Sequence, residues 1–234
     1  TIDGTLTAIA VDAGAGNDTI NVGQLFQTGR LPNEENNIQQ LDGFATTLTT
    51  QGYLSNGVEH STSIYGGSGD DTFNMLHTSA AISLSGGTGD DTFNVATFQK
   101  ADAEGNPDGI VQNAPVTLLG GAGNDTMSVA GTEADDTFVI SEGSIQSSGV
   151  NLQAVSIENQ NAYGGAGDDE FYVLDTLENS VVYLNGNEGN DSFYNGGSQS
   201  DLPYIMVDNI DYKGHSGIIS HTVESNTDKY RQKK

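Results

Sequence analysis

Short stretches of strict alternation recur along this chain. Ser63-Ile64-Tyr65, Ile82-Ser83-Leu84, Val116-Thr117-Leu118 and Val182-Tyr183-Leu184 each lead into a glycine cluster. Thr72-Phe73-Asn74-Met75, Thr92-Phe93-Asn94-Val95 and Thr126-Met127-Ser128-Val129 each follow one. A period of two over runs this short, bounded by glycine and aspartate, predicts strands joined by turns. It sends Phe73, Phe93, Met127, Phe138, Phe171 and Phe193 to one side of their strands and Thr and Asn to the other. Rungs stacked ~4.8 Å apart would pile those side chains into an inner ladder. No segment sustains a helical period, so the expected chain is all-β.

The turns between the strands repeat. Gly66-Gly-Ser-Gly-Asp-Asp-Thr-Phe73, Gly86-Gly-Thr-Gly-Asp-Asp-Thr-Phe93, Gly120-Gly-Ala-Gly-Asn-Asp-Thr-Met127 and Gly164-Gly-Ala-Gly-Asp-Asp-Glu-Phe171 are near copies. Ala13 to Ile20, Gly131 to Phe138 and Gly186 to Phe193 are weaker ones. Their sixth-position aspartates fall at 18, 71, 91, 125, 136, 169 and 191, giving steps of 53, 20, 34, 11, 33 and 22. Those steps fit a coil of about 20 to 22 residues and a half-coil of about 11, with insertions at 24–60 and 99–109 that read as polar loops leaving the stack. The 44 residues from Asp125 to Asp169 read as two such coils.

On these turns the chain resembles the RTX, or haemolysin-type, calcium-binding repeat family, whose pattern is Gly-Gly-x-Gly-x-Asp followed by an apolar residue one position on. The resemblance implies a right-handed parallel β-roll or β-helix solenoid, here with irregular insertions. It also implies several Ca²⁺ ions held by turn carbonyls and the sixth-position Asp, which maps onto Gly66, Ser68, Asp71, Gly87, Gly89 and Asp91. The chemistry is consistent: calcium takes six to eight hard oxygens, and one turn offers only about half of them, so two turns one rung apart must share an ion. Asp71 with Asp91, and Asp169 with Asp191 together with Gly164 and Gly189, are the leading pairs. Asp125 comes next, and Asp18 and Asp136 are weaker. Ala13, Asn187, and Thr132 with Ala134 stand where glycines belong, and a Cβ is disfavoured at positive φ, asparagine least so. Fewer ions than motifs are therefore expected. Ordinary Asp-Gly turns are the competing explanation. Seven copies at near-constant spacing argue for the metal.

Composition narrows the function. The chain has 234 residues, 32 acidic against 7 basic, a net charge of −25, 31 glycines and no cysteine. That charge has the wrong sign for nucleic acid or an anionic membrane surface, and without cysteine there are no disulfides or thiolate sites. No apolar run is long enough to span a bilayer. Gly214-His-Ser-Gly-Ile218 fails the nucleophile-elbow pattern at Ile218, and His60, His77, His215 and His221 lack metalloprotease spacing. Asp102 to Asp108 has the look of an EF-hand loop but carries Pro107 at the required glycine.

The expected protein is one calcium-binding domain over 1–234, non-catalytic, with a junction or tail at 201–234. Its start inside an alternating stretch reads as material from a larger protein. The resemblance implies an extracellular bacterial setting, as adhesin stalk, surface-layer part or filament subunit, with neighbouring repeat blocks or end-to-end self-association as partners; neither nucleic-acid binding nor membrane insertion is expected. The alternative is the secretion module of a type I-secreted hydrolase or toxin. Ice binding is disfavoured, because the third turn position reads Ala15, Ser68, Thr88, Ala122, Glu133, Ala166 and Glu188, too irregular for a flat face.

Overall fold

The computed structural model describes residues 8–31, 43–141, 143–175, 180–195, 205–208 and 211–212. The described elements are all strands, in three sheets. A seven-stranded sheet runs in the order Thr19–Val22, Thr72–Met75, Thr92–Ala96, Thr126–Ala130, Asn159–Ala166, Val181–Glu188 and Ile205–Asp208. Every neighbouring pair in it is parallel.

The ten-stranded sheet is parallel only in part. Ile9–Ala15, Thr62–Ser68, Ile82–Thr88 and Val116–Ala122 run parallel in register, with Gly67 opposite Gly87 and Gly87 opposite Gly121. The next three positions are a meander: Val150–Val155 joins Val116–Ala122, then Ser144–Ser147 and Thr137–Ser141 follow antiparallel. Parallel pairing resumes with Glu170–Val173, Ser192–Asn195 and Asp211–Tyr212. The 44-residue step from Asp125 to Asp169 therefore holds this meander and is not two regular coils.

The inner faces of the two sheets share one core. Alternation is the cause: buried and half-buried positions alternate along Ile82–Thr88 and Thr92–Ala96. The expected single aromatic ladder is two. Phe73 stacks on Phe93 in the seven-stranded sheet, with centroids 4.8 Å apart. Phe138, Phe171 and Phe193 stack at 4.8 Å in the ten-stranded sheet. The two stacks lie in different sheets because the chain crosses from one to the other at a turn, and the turns change direction midway, as described below. Outward, Asn94 donates to Asn74 and Asn74 to Asn21, an amide ladder on the polar face.

Both polar insertions contain strands. Thr46–Thr49 and Gly52–Ser55 form a hairpin flanked by Leu25–Phe26 on one side and by Gln99–Ala101 on the other, with Pro107–Ile110 at the edge. This five-stranded sheet has its own small core of Leu54, Phe98 and Val111. Its hairpin tip reaches the main body through Glu133, which accepts from the Thr50 hydroxyl and from Gln51 Nε2. Of the segment from Asp102 to Asp108, Asp102 to Asn106 is the turn between two of these strands, where Asp102 Oδ1 accepts from the Glu104 and Asn106 amides, and Pro107 and Asp108 begin the second strand. The Gly214 to Ile218 motif and all of the 201–234 segment except residues 205–208 and 211–212 lie outside the described residues.

Candidate metal centres

The seven Asp-ending turns sort into two columns. The turns ending at Asp18, Asp71, Asp91 and Asp125 carry the chain from the ten-stranded sheet to the seven-stranded one, and those ending at Asp136, Asp169 and Asp191 carry it back. The 11-residue step between Asp125 and Asp136 is thus a crossing to the opposite flank. Within a column the turns lie in register, held by the strands that enter and leave them.

Each column is built on a ladder of sixth-position aspartates. The Asp18 amide donates to Asp71 Oδ1, the Asp71 amide to Asp91 Oδ1 and the Asp91 amide to Asp125 Oδ1, each at 2.8 Å. In the second column the Asp136 amide donates to Asp169 Oδ1 at 2.7 Å and the Asp169 amide to Asp191 Oδ1 at 3.0 Å. A second, outer ladder links the fifth positions: the Asp70 amide donates to Asn17 Oδ1, the Asp90 amide to Asp70 Oδ1, the Asn124 amide to Asp90 Oδ1, the Asp168 amide to Asp135 Oδ1 and the Asn190 amide to Asp168 Oδ1. These fifth-position residues were not candidates from sequence. Their signal is that the position is Asp or Asn in all seven copies.

One carboxylate oxygen per motif aspartate is left over. Oδ2 of Asp18, Asp71, Asp91, Asp125, Asp169 and Asp191, and Oδ1 of Asp136, are buried with no hydrogen-bond donor. A buried polar atom without a partner costs about 1–3 kcal/mol, more if charged. Six at the same position, Oδ2, are a feature of the repeat. The surroundings raise the cost. Burial pushes Asp91 up to about 6 against the stabilising Asp71 amide, and the Asp125, Asp71 and Asp70 carboxylates push the same way. Burial pushes Asp169 up to about 7 against the Asp136 amide, with Asp136, Asp191 and Asp135 adding to the rise. Asp125 and Asp191 are raised by burial too.

In every copy but the one ending at Asp18, whose first residue is Ala13, the first turn position is glycine, and the missing Cβ leaves space beside the aspartate. A Cβ at Gly66 would collide with Asp71 Oδ2 and approach the Gly86 carbonyl, and a Cβ at Gly164 would collide with Asp169 Oδ2 and approach the Gly186 carbonyl. At Asp71 and Asp169 the leftover oxygen thus shares a cradle with a carbonyl of the next rung. The second position needs glycine for another reason: Gly87 sits at φ 113° with the Gly67 carbonyl packed against it. Asn187 occupies the same place in the last copy at φ 66°, its amide bonded to Asn185 Oδ1. Oxygen donors of both kinds, carboxylate and carbonyl, converge with no nitrogen or sulfur among them, which fits a hard divalent cation such as calcium. Among the described residues no three His, Cys, Asp or Glu side chains cluster as a metal site. His77 is engaged elsewhere, its Nδ1 2.9 Å from Asn113 Oδ1.

The columns bring the predicted residues together unevenly. Gly66, Ser68 and Asp71 face Gly87, Gly89 and Asp91 across one rung, with Ser68 opposite Thr88. The Ser68 carbonyl also accepts from Gly16 at 2.7 Å. Gly164 and Asp169 face Gly189 and Asp191 in the same way, Gly189 packing on the Gly167 carbonyl. Asp18 and Asp125 extend the first column on either side. Asp136 differs: its Oδ2 already accepts from the Thr132 amide at 2.6 Å and hydroxyl at 2.9 Å, so the residue that replaces glycine partly satisfies the carboxylate itself.

A family model described as the RTX calcium-binding nonapeptide repeat matches the chain in four copies, at residues 11–24, 63–74, 116–131 and 182–201. Repeats of this family bind Ca²⁺. The turns ending at Asp91, Asp136 and Asp169 fall outside the matched segments; Asp91 lies in the ladder between two matched neighbours, Asp169 beside one, and Asp136 next to Asp169. No curated protein and no solved structure matches the chain.

Proposed function

This chain carries RTX calcium-binding nonapeptide repeats, and on that premise we propose that it is a non-catalytic structural module of an extracellular bacterial protein, a single right-handed β-roll domain that folds as calcium enters between stacked turns. The observation that carries the reading is the set of buried carboxylate oxygens without donors, one per motif aspartate, each in register with the next. A bound divalent cation supplies the positive charge these oxygens lack. The chain's own residues do the rest: Gly66, Ser68 and Asp71 with Gly87, Gly89 and Asp91 form one cage, and Gly164 and Asp169 with Gly189 and Asp191 another. Asp18 and Asp125 continue the first column, and Asp136, already bonded to Thr132, contributes least.

Ion binding to the folded form alone is folding free energy, about 2.7 kcal/mol per site when free calcium is a hundredfold above Kd. Millimolar calcium outside a cell therefore favours the fold where a stalk, surface layer or filament needs it. The edge strand Ile9–Ala15 pairs on one side only among the described residues, which supports end-to-end stacking on a neighbouring block or a second copy.

Equilibrium dialysis against calcium tests the reading. The ladders leave three motif gaps in the first column and two in the second, so several ions per chain are expected, the one beside Asp136 being the weakest. A stoichiometry below one ion per chain at millimolar calcium would overturn it.

A further inference from the structure

The first column does not stop at its last motif. The chain returns along Val150–Val155 and crosses again to the seven-stranded sheet through Ser156, Ile157 and Glu158, a connection without glycine. Glu158 nevertheless stands where a sixth-position aspartate would. The Asp125 amide donates to its Oε2 at 2.8 Å, the same bond and length as in the ladder below. The residue after it, Asn159, donates its amide to the Asp125 carbonyl at 2.9 Å, as Thr126 does to Asp91 and Thr92 to Asp71 at 2.8 Å.

Ser156 supplies the matching carbonyl. At Gly66 and Gly164 the first glycine of the turn is faced by its own aspartate Oδ2 and by the first-position carbonyl of the next turn. At Gly120 those two atoms are Asp125 Oδ2 and the Ser156 carbonyl, and a Cβ there would collide with both. Ser156 reaches this position with φ 54°, one of two non-glycine residues at positive φ among the described residues. Asp125 is fully buried, and its Oδ2 has no donor. Oδ1 of Asp125 accepts from the preceding rung, at Asp91, and Oδ2 lies with the Ser156 carbonyl of the following one, so the free oxygen of Asp125 belongs to the gap that Ser156 and Glu158 close.

We propose that Ser156 and Glu158 form a cation half-site outside the repeat pattern, which completes a calcium-class site against the Gly120–Asp125 turn. The Ser156 carbonyl stands in for a turn glycine and the Glu158 carboxylate for the next aspartate. The site ends the first column at the point where the chain has changed flank. The inference rests on the calcium reading of the motif turns and adds one site to it.

Equilibrium dialysis with calcium alone, on the full chain and on Glu158→Gln, tests it. The Gln side chain keeps an oxygen for the Asp125 amide but removes the charge. The expected result is one ion fewer per chain with the remaining ions bound as before. Glu158→Asp, which keeps the charge and shortens the reach, is expected to retain the full count with the last ion bound roughly tenfold more weakly or worse. Equal counts and affinities in the full chain and Glu158→Gln would overturn this inference while leaving the motif sites standing. No calcium on the unaltered chain would overturn the calcium reading and this site with it.

Discussion

Asp169→Asn is expected to lower the melting temperature in saturating calcium by roughly 5–10 °C. Asp169 is fully buried and serves two gaps, through Oδ1 toward Asp136 and through Oδ2 beside the Gly186 carbonyl. The substitution keeps the acceptor for the Asp136 amide and the shape of the side chain, so the hydrogen-bonded ladder survives. It removes the charged oxygen that the cradle offers to a cation. Losing one site's worth of linkage, about 2.7 kcal/mol at a hundredfold excess of calcium over Kd, produces a shift of this size in a chain of this length. The metal-free protein should respond with the opposite sign. There Asp169 is a buried carboxyl without a donor on Oδ2, and an amide nitrogen beside the Gly186 carbonyl gives that position a bond instead. The variant should therefore hold β-structure without metal to a higher pH than the unaltered chain. Scanning calorimetry in calcium and a metal-free pH titration by circular dichroism check both halves. A variant that melts like the original in calcium would contradict the assignment of Asp169.

The second large effect is on pH. Burial and neighbouring carboxylates raise Asp91 to about 6 and Asp169 to about 7, against about 3.9 for an unfolded aspartate. Between those values the folded chain holds protons that the unfolded chain releases, so metal-free stability falls as pH rises. The contribution is complete below about pH 4 and lost on passing through about 6 for Asp91 and about 7 for Asp169. Calcium reverses the sign, because an ion displaces those protons and binds more tightly as pH rises through the same window. Metal-stripped protein is thus expected to gain β-structure between pH 8 and pH 5, while the calcium midpoint moves to higher concentration over the same change. Metal-free stability that rises from pH 5 to pH 8 would contradict the burial of these carboxylates.

Much of the site was legible from spacing. The 20- and 22-residue steps identified Asp71 with Asp91 and Asp169 with Asp191 as neighbours, and the amide-to-carboxylate bonds join those pairs. Alternation identified the buried Phe and Met positions. Spacing along the chain carries no side, however, so the change of flank between Asp125 and Asp136 could be read as a half-coil but not as a second column. The meander that follows has the same alternation as the rungs. Its direction depends on two turns, at Gly143 with φ 66° and Gly149 with φ 82°, and such short glycine-containing links between strands are the available hairpin signal. Glu158 was hidden for a related reason: its turn has no glycine, and Gln160 stands where other copies place Phe, Met or Ile. Its signal is numerical, since Asp125 to Glu158 is the same 33-residue step as Asp136 to Asp169. The five-stranded sheet was illegible because its strands are short and polar, and the Thr49–Lys100 pairing that joins the two insertions links residues 51 apart in sequence.

The charge of −25 takes its meaning from these columns. The motif aspartates are held in line by their own backbone amides, so their charges are stacked on each flank at the spacing of the strands. Facing carboxylates in that arrangement repel unless a cation lies between them. Dependence of the fold on calcium is the central claim, and far-UV circular dichroism at neutral pH, in millimolar calcium and in excess EGTA, tests it most directly. A β spectrum in calcium that is lost in EGTA and restored when calcium is returned is the predicted result; an unchanged spectrum and melting temperature in EGTA would contradict the account.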